Sequence, residues 1–560
     1  VPAVATTKIR ATPNPWQATP SHHDNRCEYT YGRITKSKEI KMAIPNRISR
    51  RRLLADASGL VACAALIRRP SNSVAADSVA PKPEATDLLN LSAIDAVKSM
   101  IRGELTAERY ATALLARCQA GASLNAFITL QPQRVLDAAR ACDLRRRSGA
   151  LLGLLHGLPI PIKDSVNTAD LPTTAGTPAL RHFQPREDAP VVHSLRNAGA
   201  IVLGKTNLHE LSYGYTSNNH AYGTIHNPYD PTRIPGGSSG GTAAAIAYRM
   251  APLGVAEDTE GSIRVPAALC GIAGFRPTTG RYPTTGAVPI TPLFDQVGPH
   301  ARSVADLLLF DSAVTADTSP TPRAPLKGVR LGVVRPFWYT DLDPETERIT
   351  EAALKKLSRA GVELIEGDLP QLPHLIALTT DLVQNHDVKA ALTRYLAQYQ
   401  TGISFDTLLA KASPDVRQMI ETALPGGSDF VPETQYRAAV DLHLPALRSL
   451  YRDYFARTGV QAIVFPTTIL PAPKIGEENM EVAVRGRKMP LDQAMSRNIA
   501  PGSTAGLPGL VLPAGLSSKG MPIALEFDGA AGSDRTLLRL GLGLEEVLGR
   551  LPPPRALRSG

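Results

Sequence analysis

Cysteine is scarce in this chain: five residues in 560, at Cys27, Cys63, Cys118, Cys142 and Cys270. That supply gives no disulfide framework, and no pair has the spacing of a zinc site. Two of the five fall in an N-terminal segment read below as removable, which leaves an odd set of three. Free thiols are expected there, with a Cys118–Cys142 bridge left open for an oxidising compartment and Cys270 as a small core residue. A zinc helix is missing too, because His209-Glu210 runs on as L-S-Y without a second histidine. No metal and no cofactor are expected. No internal repeat is evident, and the N-terminal apolar run G-L-V-A-C-A-A-L-I is too short to span a bilayer, so no stable membrane anchor is expected.

An excess of one charge is lacking once the N-terminus is set aside. Up to Ala76 there are 13 Lys and Arg against 4 Asp and Glu, leaving 48 against 47 of the totals of 61 and 51. The basic balance belongs to that segment, and the evenly charged remainder gives no reason to expect nucleic-acid binding. From Met42 the segment reads M-A-I-P-N-R-I-S-R-R-R-L-L, then the apolar run, then R-R-P and S-V-A-A. This resembles a twin-arginine export signal over 42–76, which predicts a periplasmic or secreted protein. The alternative is a disordered basic arm on a cytoplasmic protein. Residues 1–41 are polar and aperiodic and read as an upstream, disordered extension, 77–88 as a linker around P-K-P-E-A-T, and 552–560 as a tail.

What is present is a chain that is 43% hydrophobic and long enough for an extensive core. Helical spacing runs through A-I-D-A-V-K-S-M-I-R, breaks at Gly103, resumes to Cys118, and returns in Q-P-Q-R-V-L-D-A-A-R. Short apolar runs follow: P-I-P-I-K, A-I-V-L-G-K, V-R-L-G-V-V, Q-A-I-V-F-P and G-L-V-L-P-A. Their alternation with helical segments predicts an α/β fold with a central sheet covered on both faces. About 370–454 shows helical pattern only and reads as an insertion that either covers the site or packs peripherally.

Three elements carry chemistry. Lys163 ends the proline-punctuated run L-P-I-P-I-K, which reads as a buried strand; an amine confined there loses solvation and becomes available as a base. In I-P-G-G-S-S-G-G-T, four glycines surround Ser238 and Ser239 ahead of a helix of small residues. A Walker loop is excluded, because no lysine precedes the threonine. G-G-S-S-G formally matches a nucleophile elbow, but its lead D-P-T-R-I-P is loop rather than strand. Ser262 follows a glycine in D-T-E-G-S-I-R, a turn whose N–H groups can converge on one oxygen. His156, His209 and His300 lie near these motifs and read as hydrogen-bonded structural groups rather than members of a Ser-His-Asp triad.

Taken together, G-L-P-I-P-I-K-D, G-K-T-N-L-H-E-L, N-P-Y-D before G-G-S-S-G-G, D-Q-V-G-P-H-A-R-S-V-A-D-L and A-G-L-P-G-L-V-L-P-A-G resemble the amidase signature family from about Leu89 to Leu551. The resemblance implies one large domain over 89–551 with a mixed central sheet. It implies Ser262 as nucleophile, Ser238 as a bridging serine after a cis peptide from Gly237, and Lys163 as base. The N–H groups of Thr259, Glu260, Gly261 and Ser262 would form the oxyanion hole. The common family pattern G-T-D-T-G-G-S stands here as Ala256-Glu257-Asp258-Thr259-Glu260-Gly261-Ser262. Glu260 thus puts a carboxylate near a developing oxyanion and must point away, pair with a cation or hold a proton. This variant, with L-P-T-T-A-G-T-P-A-L, resembles the indoleacetamide and mandelamide hydrolase branches.

The expected reaction is hydrolysis of a small carboxylic amide, with Tyr213, Tyr215 and Phe294 as pocket walls and the amide itself as partner; a homodimer is left open. An amidotransferase subunit acting on glutamine is the second reading, which an export signal opposes. A catalytically inactive binding protein is the third, opposed by retention of Lys163, Ser238 and Ser262 together.

Overall fold

In the computed structural model, which describes residues 85–476 and 481–554, residue 163 closes a strand whose five residues are all buried. The strands in chain order are β1 Phe127–Leu130, β2 Pro159–Lys163, β3 Ile201–Thr206, β4 Leu253–Asp258, β5 Ala273–Arg276 and β6 Gln296–Ala301. After them come β7 Arg330–Val333, β8 Glu363–Glu366, β9 Ala462–Pro466, β10 Val482–Val484, β11 Arg487–Met489, β12 Gly509–Leu516 and β13 Pro522–Gly529. All but the β10–β11 hairpin join one 11-stranded sheet, ordered β1-β3-β2-β4-β6-β5-β12-β13-β9-β7-β8. Parallel pairs β3–β2–β4 and β9–β7–β8 flank a central antiparallel run from β4 to β9, so the sheet is mixed and the fold α/β. Every residue of β2, β4, β6, β9 and β13 is buried. Side chains alternate between faces along a strand, so burial of consecutive residues means both faces are covered.

The helices expected from periodicity form as Ala93–Arg102, Ala107–Ala120 and Pro132–Arg147. Gly103 caps the first in the left-handed region (φ 77°). Cys118, Cys142 and Cys270 are free thiols, which closes the question of a Cys118–Cys142 bridge. Between β8 and β9 the chain forms a series of helices and no strand, the first starting at Leu372 and the last ending at Thr458. The export signal, the upstream extension and most of the linker and tail lie outside the described residues.

Topology gathers the site at one rim. The parallel strands β2 and β4 end there together, and crevices beyond strand carboxyl ends are where α/β sheets hold ligands. β6 runs antiparallel to β4 and starts opposite Asp258, so the loop before it arrives at the same rim. From β3 the chain returns through Asn207–Ser239 into the helix Gly240–Ala247 (G-G-T-A-A-A-I-A), which is buried at every residue. Small side chains let this helix lie close to the sheet. A Cβ on Gly241 would strike the Asn207 carbonyl oxygen and sit 2.6 Å from that of Ala126, both backbone atoms.

Gly241→Ala is therefore expected to lower the unfolding free energy by about 1–3 kcal/mol, the range of overpacked cores. Urea denaturation at fixed pH measures it.

Candidate active site

Lys163 is fully buried, and its Nζ donates to Ser238 Oγ at 2.6 Å and to Glu257 Oε1 at 2.5 Å. Burial pulls the amine well down from its ordinary pKa, and the Glu257 carboxylate opposes that fall. Ser238 is also fully buried, and the Gly237–Ser238 peptide is cis. Ser217 braces this loop, its hydroxyl donating to the Gly236 carbonyl at 2.8 Å and accepting from Gly240 N–H at 3.2 Å. Beside it the Lys205–Asp164 pair (3.2 Å), both fully buried, secures the turn after β2. Asp164 takes further hydrogen bonds from the Thr174 N–H and hydroxyl.

The loop Thr259–Ser262 is held by Asp258. Its carboxylate accepts from Gly261 N–H (2.7 Å), Ile263 N–H (3.0 Å) and Arg264 Nε (3.1 Å), with Arg276 Nε at 3.5 Å. Burial pushes the Asp258 carboxyl up, but the two guanidinium groups prevail and hold it below its usual value. Gly261 (φ 131°) has no room for a side chain, since a Cβ would strike Ile499 Cδ1. The Gly261 N–H, expected as an oxyanion donor, is instead committed to Asp258. On the far side Thr259 Oγ1 donates to Asp295 Oδ1 at 2.6 Å, and burial raises the Asp295 carboxyl to about 7.

Ser262 lines a cavity of about 600 Å³. It meets the cis-serine loop through Ser239 N–H, which donates to the Ser262 carbonyl at 3.4 Å. The expected second link, from Ser238 to Ser262, is not closed by a hydrogen bond here. Tyr213 and Tyr215 line the cavity, with Ile290, Phe337 and Ile376. Phe294 does not: it is 1% exposed and packs with Val383, Ala439 and Leu444, joining the loop before β6 to the helical region. That helical region supplies Thr380, Asp381, Gln384 and Met419 to the cavity, so it forms a wall and not a peripheral layer.

Glu260 answers the question its position raised. It is half-buried, accepts from Gln384 Nε2 at 2.5 Å rather than pairing with a cation, and is pushed up to about 8 by burial and then by nearby Asp381. Both influences favour its protonated form. His300 Nε2 bonds the Ile263 carbonyl at 2.7 Å and His209 Nδ1 the Thr216 hydroxyl at 3.2 Å, both structural as expected. His156 departs from expectation: it is buried, and its Nε2 finds no partner among the described residues. No group of three or more His, Cys, Asp and Glu among the described residues is arranged to hold a metal.

Sequence reasoning missed Glu257, Ser212 and Gln384. For Glu257 a signal existed, since the pattern G-T-D-T-G-G-S sets threonine against it. Ser212 and Gln384 have no local signature; each acts across a gap in the chain that only the fold closes.

A family profile described as Amidase matches residues 109–538. An indoleacetamide hydrolase of Agrobacterium vitis is 38% identical over 436 residues, covering 78% of this chain and 92% of that protein. A mandelamide hydrolase of Pseudomonas putida is 38% identical over 473 residues, covering 81% and 90%. A crystal structure of an amidase superposes with a TM-score of 0.73 at 31% identity, covering 82% of this chain and 100% of that one.

Glu260 generates a stability prediction. Folded, it keeps its proton to about 8; unfolded, it loses it near 4.5. Between those values the unfolded state binds fewer protons, so folding weakens as pH rises through the window. Glu260→Gln cannot ionise, and its melting temperature should match wild type at pH 4 and exceed it most at pH 9, read by calorimetry.

Proposed function

The chain belongs to the amidase family, and from that premise we propose that it hydrolyses a small aryl-bearing carboxamide to acid and ammonia through an acyl-enzyme on Ser262. The observation that carries this reading is the buried Lys163–Ser238 hydrogen bond behind a cavity that Ser262 lines. A serine hydroxyl needs a neighbouring base to become nucleophilic, and a desolvated lysine supplies one.

In the attack Ser238 Oγ–H passes its proton to neutral Lys163 Nζ while Ser262 Oγ–H passes its own to Ser238. Ser262 Oγ bonds the amide carbonyl carbon, and the C=O pair moves onto oxygen. Thr259, Glu260 and Ser262 N–H face the developing charge; Gly261 stays with Asp258 and sets the loop's shape. The C–N bond breaks as the proton returns along the relay to nitrogen, ammonia departs, and water hydrolyses the ester. The open Ser238–Ser262 link closes when substrate seats Ser262, as catalytic hydrogen bonds commonly tighten on binding. A protonated Glu260 spares the oxyanion a neighbouring charge. The aromatic and aliphatic wall of Tyr213, Tyr215, Ile290, Phe337 and Ile376 suits a flat apolar acyl group, in keeping with the arylacetamide names of the two relatives.

Ammonia release from indole-3-acetamide and mandelamide should exceed release from acetamide and glutamine by about tenfold or more in kcat/KM, since a single buried methylene of the acyl group already contributes roughly tenfold or more. Ser262→Ala should lower kcat at least about 1,000-fold. Full turnover in that variant, or activity confined to glutamine, overturns the proposal.

A further inference from the structure

A Ser-Ser-Lys relay needs an amine and two hydroxyls, yet this site adds a buried carboxylate against the amine. Glu257, 5% exposed, sits on β4 one residue before Asp258, and its Oε1 accepts from Lys163 Nζ (2.5 Å) and Ser212 Oγ (2.5 Å), with Ser165 Oγ at 3.5 Å. Three donors converge on one oxygen. The backbone is bent to supply the second of them: Leu211 (φ 52°) and Ser212 (φ 66°) are successive non-glycine residues in the left-handed region. A bulky residue tolerates that conformation only where its surroundings impose it, and such outliers cluster at functional sites. Here the turn delivers the Ser212 hydroxyl to Glu257.

We propose that Glu257 is a positioning residue that holds Lys163 on Ser238 and stabilises the ammonium formed when Lys163 takes the serine proton. The inference rests on the Ser-Ser-Lys reading above and adds a fourth group to it. The reactive form is an amine beside a carboxylate. As the Ser262–carbon bond forms and the relay delivers its proton, the new ammonium faces a negative charge 2.5 Å away rather than an apolar wall. Charge separation between oxyanion and lysine is thereby compensated inside the protein.

The other ionisable groups around Lys163 are each engaged or neutral. Asp258 is taken by Arg264 and Arg276, and Asp164 by Lys205. Asp295 accepts from Thr259 and from the Ile290 and Thr291 N–H groups and is raised to about 7. His209 and His300 are driven to about 4 by burial and carry no charge at neutral pH. Glu257 is thus the carboxylate in direct contact with the amine, and it does not line the substrate cavity.

Lysine acts as base above its own pKa, so the acid limb of the kcat/KM profile reports it. Removing the Glu257 charge lowers the proton affinity of Lys163; the acid limb should move to lower pH, and the weaker base should lower the plateau of kcat about 10- to 100-fold, a fraction of what a general base typically contributes. KM should change little. Glu257→Gln is the first variant; Glu257→Thr, which restores the residue of the G-T-D-T-G-G-S pattern, is the second should the glutamine chain not fold. Glu257→Asp, which keeps the charge, should hold the limb nearer wild type. A lowered rate with the limb unmoved or moved upward overturns the inference and leaves the relay standing. Ser262→Ala or Lys163→Ala retaining full turnover overturns the relay itself.

Discussion

The site depends on a lysine amine taken wholly out of water and still given two partners. Burial strips the ammonium of hydration and favours the neutral form, while a carboxylate at 2.5 Å favours the charged one. Neither influence alone gives a useful base. Desolvation by itself would leave an amine with little appetite for a proton, and pairing by itself would leave a permanent ammonium. On the proposed reading, their opposition places the group where it can accept and return a proton within one turnover. The rest of the rim serves this balance: parallel strands deliver Lys163 and Glu257 side by side, and the all-buried helix after Ser239 excludes solvent behind them.

The loop that carries Ser262 is held by a separate electrostatic network. Arg264 reaches Asp258 and Glu526 Oε1 (2.7 Å), and its guanidinium also meets the Ser503 hydroxyl and the Ile499 carbonyl. These groups are buried, and such networks hold their geometry because opening any one contact strands a charge. Asp258 therefore joins the loop to β13 and to the helix Ala500–Ala505, far apart in the chain. The loop over 259–262 gains its shape from side chains that do not line the cavity.

Much of the architecture was legible in the sequence because it is local. P-I-P-I-K, A-I-V-L-G-K and Q-A-I-V-F-P are apolar runs of strand length, and they form β2, β3 and β9. L-G-V-A-E-D was less readable: it ends in two acids, yet all six residues of β4 are buried because Lys163 and Arg264 meet those acids from other segments. Gly261 was assigned by its place in a loop, and only the position of Asp258 shows where its N–H points. Phe294 illustrates the reverse error. An aromatic residue near a motif suggests a pocket wall, but Leu444 and Val383, 150 and 89 residues further on, cover it.

Acid–base groups rise from the sheet, whereas much of the opposite wall comes from the helix Thr380–Gln398 and its neighbours. On the proposed reading, much of the acyl wall thus lies far along the chain from the relay, although Tyr213 and Tyr215 stay beside it. On that reading, drift or directed evolution at wall residues of this helix other than Gln384, which holds Glu260, can recut the range of acceptable acyl groups without touching the relay, which makes them natural positions to diversify in a library.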